Sequence, residues 1–151
     1  MRTWDFILRI YAGDGVQPAC LALQDDHGQC VPLLLWRVWT LTEDRLVDAE
    51  ALASAVAIAR AWHTEVIEPI RGVRRRLKAP LPPVDDEARL AFRQEIAARE
   101  LTAERLLIDT LETLTERPGP AGIPPLAELS RTAQAWGRTA PEGLLAKLLP
   151  T

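Results

Sequence analysis

Residues 48–78 read DAEALASAVAIARAWHTEVIEPIRGVRRRLK, and the fold turns on this stretch. Leu52, Val56, Ala59, Trp62, Val66, Ile70, Val73 and Leu77 recur every three or four residues, the interval at which side chains return to one face of an α-helix. A continuous helix here would run about 45 Å at about 1.5 Å per residue. Pro69 falls inside it. A proline lacks the backbone donor and crowds the carbonyl four residues back, so the sequence predicts a kink that frees the carbonyl of Glu65.

Working outward toward the C-terminus, Ala79-Pro80-Leu81-Pro82-Pro83 cannot continue a helix and reads as a stiff turn. Asp85 or Asp86 then caps a second long helix expected to reach about Glu116. Its expected inner face carries Leu90, Ile96, Ala97, Leu101, Ile108 and Leu111. Two long helices joined by a short turn predict an antiparallel hairpin. Beyond it, the segment from Pro118 to Pro125 is a Pro/Gly linker by composition. Leu126 to Trp136 and Pro141 to Leu149 are each long enough for a short helix. Both have too little apolar surface to fold alone, so loose docking on the domain, or extension from it, is expected.

Toward the N-terminus, Thr3 is expected to cap a helix whose apolar face is Trp4, Ile7, Leu8 and Tyr11. Gly13-Asp14-Gly15 ends it, and a second short helix starts near Val16 and stops at Gly28. From Val31 to Leu41 the chain is apolar almost all round, with Arg37 its single charge. Such a segment is buried on most sides. Three consecutive leucines and the lack of a β-branched majority favour helix over strand. The expected architecture is all-α: a small N-terminal helical unit packed on a long antiparallel hairpin over residues 1–117, the linker at 118–125, and short helices over 126–151.

Composition agrees with that architecture. A chain of 151 residues and 16.8 kDa is about the length of one domain. With 48% hydrophobic and 26% charged residues it is neither a disordered tail nor a membrane protein. Five Trp against one Tyr and two Phe, with few β-branched residues, argue against a sheet-rich fold. A net charge of −3 removes the global pull on nucleic acid that basic proteins have. The start Met1-Arg2-Thr3-Trp4-Asp5 has no secretory pattern, so the cytoplasm is the expected compartment, and Cys20 and Cys30 are expected as free thiols in it.

Four groups of residues are candidates for chemistry. A hairpin turning near Pro82 sets residues whose numbers sum to about 164 opposite each other, which brings His63 beside Glu100 and Glu104 on the inner faces. A metal or acid/base site is one reading. The other is a buried ionic network in which Arg60, Arg99 or Arg105 neutralises the glutamates, because an unpaired buried carboxylate is costly. A di-metal bundle would also need paired Glu-x-x-His motifs, which the chain lacks.

The second group is the basic run Arg71, Arg74, Arg75, Arg76 and Lys78, which would hold a polyanion such as nucleic acid. The alternative is a solvated helix end pairing with Asp85, Asp86 and Glu87 across the turn. Third, Cys20, His27 and Cys30 lie close in sequence but lack a paired Cys-x-x-Cys unit and a fourth ligand for zinc. Fourth, Trp36, Trp39 and Trp62 either fill the core or line an apolar groove for a ligand or partner helix. No phosphate-binding glycine loop, nucleophile elbow or His-Glu-x-x-His occurs, so no cofactor is expected. A non-enzymatic interaction or regulatory module with a protein partner is the expected function. A small ligand-binding protein or enzyme using His63, Glu100 and Glu104 is its alternative.

Trp4-Asp5-Phe6 with Tyr11, Ala19-Cys20-Leu21-x-Leu23-Gln24, Pro69-x-Arg71-x-x-Arg74-x-x-Leu77-Lys78 and Glu100-Leu101-x-Ala103-Glu104 together cover roughly Trp4 to Leu111. In them the chain resembles an uncharacterised family of small all-helical bacterial proteins, a domain of unknown function. The resemblance implies a helical fold and a bacterial source, and it carries over no catalytic residue.

Overall fold

The computed structural model describes residues 1–151 and contains eight α-helices and no strand. They are α1 (Thr3–Tyr11), α2 (Val16–Asp25), α3 (Val31–Thr42), α4 (Ala49–Trp62), α5 (Glu68–Arg76), α6 (Asp86–Glu112), α7 (Pro125–Trp136) and α8 (Glu142–Lys147). None is long and apolar enough to cross a membrane.

The stretch over residues 48–78 is helical throughout but is not one α-helix. A π-helical turn, His63–Ile67, separates α4 from α5, and the backbone N–H of Glu68 reaches back five residues to the carbonyl of His63. This inserted residue is how the chain absorbs the donor missing at Pro69, in place of a simple kink. Asp48 and Asp85 cap α4 and α6 by accepting from Ala51 N–H and Ala88 N–H. The two long segments run side by side: the Trp62 indole donates to the Ala103 carbonyl at 2.8 Å, and Arg89 Nε donates to the Leu77 carbonyl at 3.1 Å.

α3 is the central element. Ten consecutive residues from Val31 to Thr40 are buried, and Trp36 and Trp39 are 0% and 1% exposed. Its charge, Arg37, is buried too and reaches Glu128 of α7 at 3.1 Å. An ion taken out of water needs such a partner, and here that need fixes where α7 lies.

Several local expectations are corrected. Thr3 is the first residue of α1, not its cap; Arg2 holds the cap position without a side-chain bond, and the Thr3 hydroxyl is buried without a partner. The buried face of α1 is Thr3, Phe6 and Ile7, which leaves Leu8 outside. α6 ends at Glu112, short of Glu116, and its inner face is Arg89, Glu100, Ala103, Leu107, Ile108 and Leu111. Leu90 and Leu101 are exposed. The reason lies in the neighbour: between Arg89 and Glu104 α6 packs on α5, whose contribution to the interface is arginine. Charged residues of α6 therefore turn inward to meet it, and Leu90 and Leu101 are rotated out.

The C-terminal helices are not loosely docked. Leu129, Ala133, Trp136, Leu145 and Leu148 belong to the same hydrophobic cluster as α1 to α6. The Trp136 indole donates to the Gly28 carbonyl at 2.8 Å, and Gln29 Nε2 donates to the Arg138 carbonyl at 2.9 Å. The Pro/Gly segment is anchored as well. Leu46 N–H donates to the Arg117 carbonyl and Gly119 N–H to the Asp44 carbonyl. A Cβ on Gly119 would lie 2.8 Å from the Leu46 backbone, so the close approach of the two segments requires glycine at this position.

Candidate functional site

The charged interior between α5 and α6 is built around Arg71. Its side chain is 3% exposed, and its guanidinium meets Glu100 at 2.9 Å, Glu68 at 3.3 Å and Glu104 at 3.4 Å. Arg74 joins from one turn further on and also holds Glu100. The helical period puts Arg71 beside Arg74, and Glu100 beside Glu104, so two guanidiniums face two carboxylates across one interface. Arg71 and Arg74, and not Arg60, Arg99 or Arg105, neutralise the glutamates. Arg60 instead lies over the Trp136 ring and donates to the Trp136 carbonyl, and Arg105 lies over Trp4.

His63 does not close on Glu100 and Glu104. Its Nε2 pairs with Glu68 Oε1 at 3.1 Å, its ring meets Trp136 edge-on at 5.3 Å, and its Nδ1 is buried without a partner. The extra residue of the π turn displaces His63 from the register of an unbroken helix. Nowhere do three or more His, Cys, Asp or Glu side chains converge in a metal-binding arrangement, Cys20, His27 and Cys30 included. Burial lowers the basicity of His63, outweighing the nearby Glu68 carboxylate, so the imidazole is neutral at pH 7.

The two glutamates of the network, one turn apart, are driven in opposite directions. Burial pushes the Glu100 carboxyl up, but the hydrogen bonds from Arg74 and Arg71 outweigh it and hold it below the ordinary range. Burial and the Glu100 charge push Glu104 up to about 6, against the pull of Arg71. A carboxyl that binds its proton more tightly folded than unfolded contributes stability below its unfolded value of 4.5, and that contribution is lost as pH climbs toward 6. Glu104→Gln is therefore expected to melt several degrees above the parent at pH 7.5, a gain of roughly 2 kcal/mol. At pH 4 the gain should vanish. Paired thermal melts across this range check it, and a variant melting below the parent at pH 7.5 contradicts it.

Glu104 also opens on a cleft of about 160 Å³ shared with Tyr11, Gln17, Cys20, Leu21 and Gln24. Burial pushes the Cys20 thiol up to about 11 and Cys30 to about 12, so both are protonated and inert at neutral pH. Gln17, Cys20 and Gln24 recur at helical spacing on one face of α2, a signal present in the sequence. Tyr11 and Glu104 join them only through tertiary packing.

The basic run is divided by the fold. Arg71 and Arg74 are committed to the interior, and Arg75 pairs with Asp25 at 2.9 Å. Only Arg76 and Lys78 stay exposed without an ion pair. The acidic residues across the turn do not answer the run, because Asp85 is a helix cap and Asp86 pairs with Arg89. A five-cation surface patch therefore does not form.

Of the candidate groove tryptophans, Trp36 is sealed in the core, and Trp39, buried under Arg45, reaches only a polar cleft with Arg2, Asp109 and Glu112, so neither lines an apolar groove. Trp62 does line a groove. With Ile58 and Ala61 of α4 and Leu106, Leu107 and Thr110 of α6 it bounds an open apolar space of about 430 Å³. Leu106 is 51% exposed there, and the Thr110 hydroxyl is turned to its own Leu106 carbonyl at 2.8 Å. Ala53, Ala57 and Ala61 continue the same surface along α4 as an exposed row of small side chains.

No curated protein and no solved structure matches the chain. Residues 2–111 match a family described as protein of unknown function (DUF2390), a span that runs from the start of α1 almost to the end of α6 and leaves α7 and α8 outside it. All the charged interior, the cleft and the groove lie within that span, and the chain belongs to this family.

Proposed function

We propose that the protein is an interaction module that takes an amphipathic helix of another protein in the groove between α4 and α6. The observation that carries this reading is the groove itself: an open, almost wholly apolar space whose one hydroxyl is already satisfied by the chain. The occupant follows from the shape. The row Ala53, Ala57 and Ala61 lets a backbone approach closely, and the hollow beside it accepts large side chains spaced at i and i+4, the arrangement of a helix laid in a groove. No nucleophile with an adjacent base is present to favour an enzyme: the thiols are protonated and His63 is paired with a carboxylate on one side and unpartnered on the other.

A photo-crosslinking residue at position 110, in the chain expressed in its native host, is expected to give one discrete protein adduct. Leu106→Glu, a change at a half-exposed position, is expected to remove that adduct while leaving the melting temperature within about 2 °C of the parent. Absence of a discrete adduct, or an adduct unaffected by Leu106→Glu, contradicts the reading.

A further inference from the structure

The cleft between α1, α2 and α6 is separate from the groove and is lined by a carboxylate, two amides, a hydroxyl and a thiol. Gln17 Nε2 donates to the Tyr11 carbonyl and Gln24 Nε2 donates to Asp25 Oδ1, which leaves each side-chain carbonyl and one N–H of each amide without a partner in the chain. Glu104 accepts from Arg71 through Oε1 at 3.4 Å, and its other oxygen has no partner in the chain. No lysine or arginine lines the cleft. Beside the Tyr11 hydroxyl and the Cys20 thiol, which engage each other, the cleft offers acceptors: a Glu104 oxygen and the two amide carbonyls.

Its charge points the same way. In the network beneath, Glu68, Glu100 and Glu104 are answered only by Arg71 and Arg74, with His63 neutral. Glu68 is half-exposed to solvent, so inside the interface two carboxylates balance two guanidiniums, and Glu104 is the one charged side chain that lines the cleft. Tyr11, the last residue of α1, adds the negative end of that helix dipole.

We propose that this cleft is a binding site for a small primary alkylammonium group. Its N–H donors meet the Glu104 carboxylate and the Gln17 and Gln24 carbonyls, and its alkyl chain lies on Leu21 and Val31, the apolar wall of the same cleft. A space of about 160 Å³ holds roughly five water molecules, the size of a four-carbon amine. Binding requires ionised Glu104. The groups that face that carboxyl are Tyr11 of α1, Cys20 of α2, Arg71 and Arg74 of α5, and Glu100 of α6; burial, with the Glu100 charge, raises it to about 6 against the pull of Arg71 and Arg74.

The test is an amide NMR titration of the full chain with n-butylammonium chloride at pH 7.5 and pH 5. Saturable shifts are expected at Tyr11, Gln17, Gln24 and Glu104, with affinity about tenfold weaker at pH 5, where Glu104 is mostly protonated. Tetramethylammonium, which has charge but no N–H, and n-butanol, which has no charge, are expected to bind at least tenfold more weakly. Glu104→Gln should abolish the butylammonium response while its amide spectrum and thermal melt show it folded. Absence of saturable shifts at these residues overturns the proposal. So does a response that Glu104→Gln retains, one that tetramethylammonium reproduces, or one of equal affinity at the two pH values.

Discussion

Arg71→Met is expected to destabilise the protein by about 3–5 kcal/mol and to lower its melting temperature by about 10 °C. The side chain lost holds three carboxylates at once, and the two that remain inside, Glu100 and Glu104, keep only Arg74 between them. The loss is dominated by stranding a buried negative charge rather than by removing attraction, because desolvation of an unpaired carboxylate is the larger quantity. Adding Glu100→Gln to Arg71→Met is therefore expected to recover a good part of the loss. Denaturant unfolding of the parent, both singles and the double variant gives the coupling directly. A single-variant loss below about 1 kcal/mol would show that the network is solvated and contributes no more than surface ion pairs do.

The second large effect is expected at Trp136, which lies outside the family span. Trp136→Ala should cost about 3–5 kcal/mol, the range for removing a large aromatic side chain from a core. Trp136 is 6% exposed, carries Arg60 over its ring at 4.3 Å, meets His63 edge-on and donates to Gly28. Three segments distant in sequence, around Gly28, at residues 60–63 and in α7, thus meet at one indole. If α7 and α8 share the core, calorimetry will show one transition moved to lower temperature, not two transitions. A variant within about 1 kcal/mol of the parent would mean that the C-terminal helices are an appendage.

That contrast shows where the sequence can be read and where it cannot. The all-helical class is legible in the apolar periodicity of residues 48–78 and in the density of apolar residues in α3, because both signals are local. The choice between docking and extension of the tail is not legible in the sequence, because each short helix carries a narrow apolar stripe. Only the position of Arg37, a charge in an otherwise apolar helix, hints that Glu128 must come to meet it. The inner face of α6 was misjudged for a related reason. Periodicity assumes that the interior is apolar, and where α5 contributes arginines, the glutamates are the residues that turn inward.

The candidate site was legible in part. Glu100 and Glu104 do share one environment, and their spacing on a helix is enough to say so. His63 departs from them because a π turn cannot be located by a proline alone, and each residue of register error rotates a side chain by about 100°. Trp62 lines the groove whereas Trp36 and Trp39 do not, which follows from how many faces of each helix are covered. α3 is enclosed by α1, α2, α4, α6 and α7, while α4 has neighbours on one side only. The cleft was not visible as a unit, since Tyr11, Gln24 and Glu104 come from three helices that only packing brings together.

The interaction reading is tested most directly by hydrogen–deuterium exchange on the crosslinked complex purified from the native host, compared with the free chain. The account predicts added protection at residues 57–62 of α4 and 103–110 of α6, with α2 and α8 unchanged. Protection confined to other helices, with the α4 and α6 segments exchanging as they do in the free chain, would contradict it.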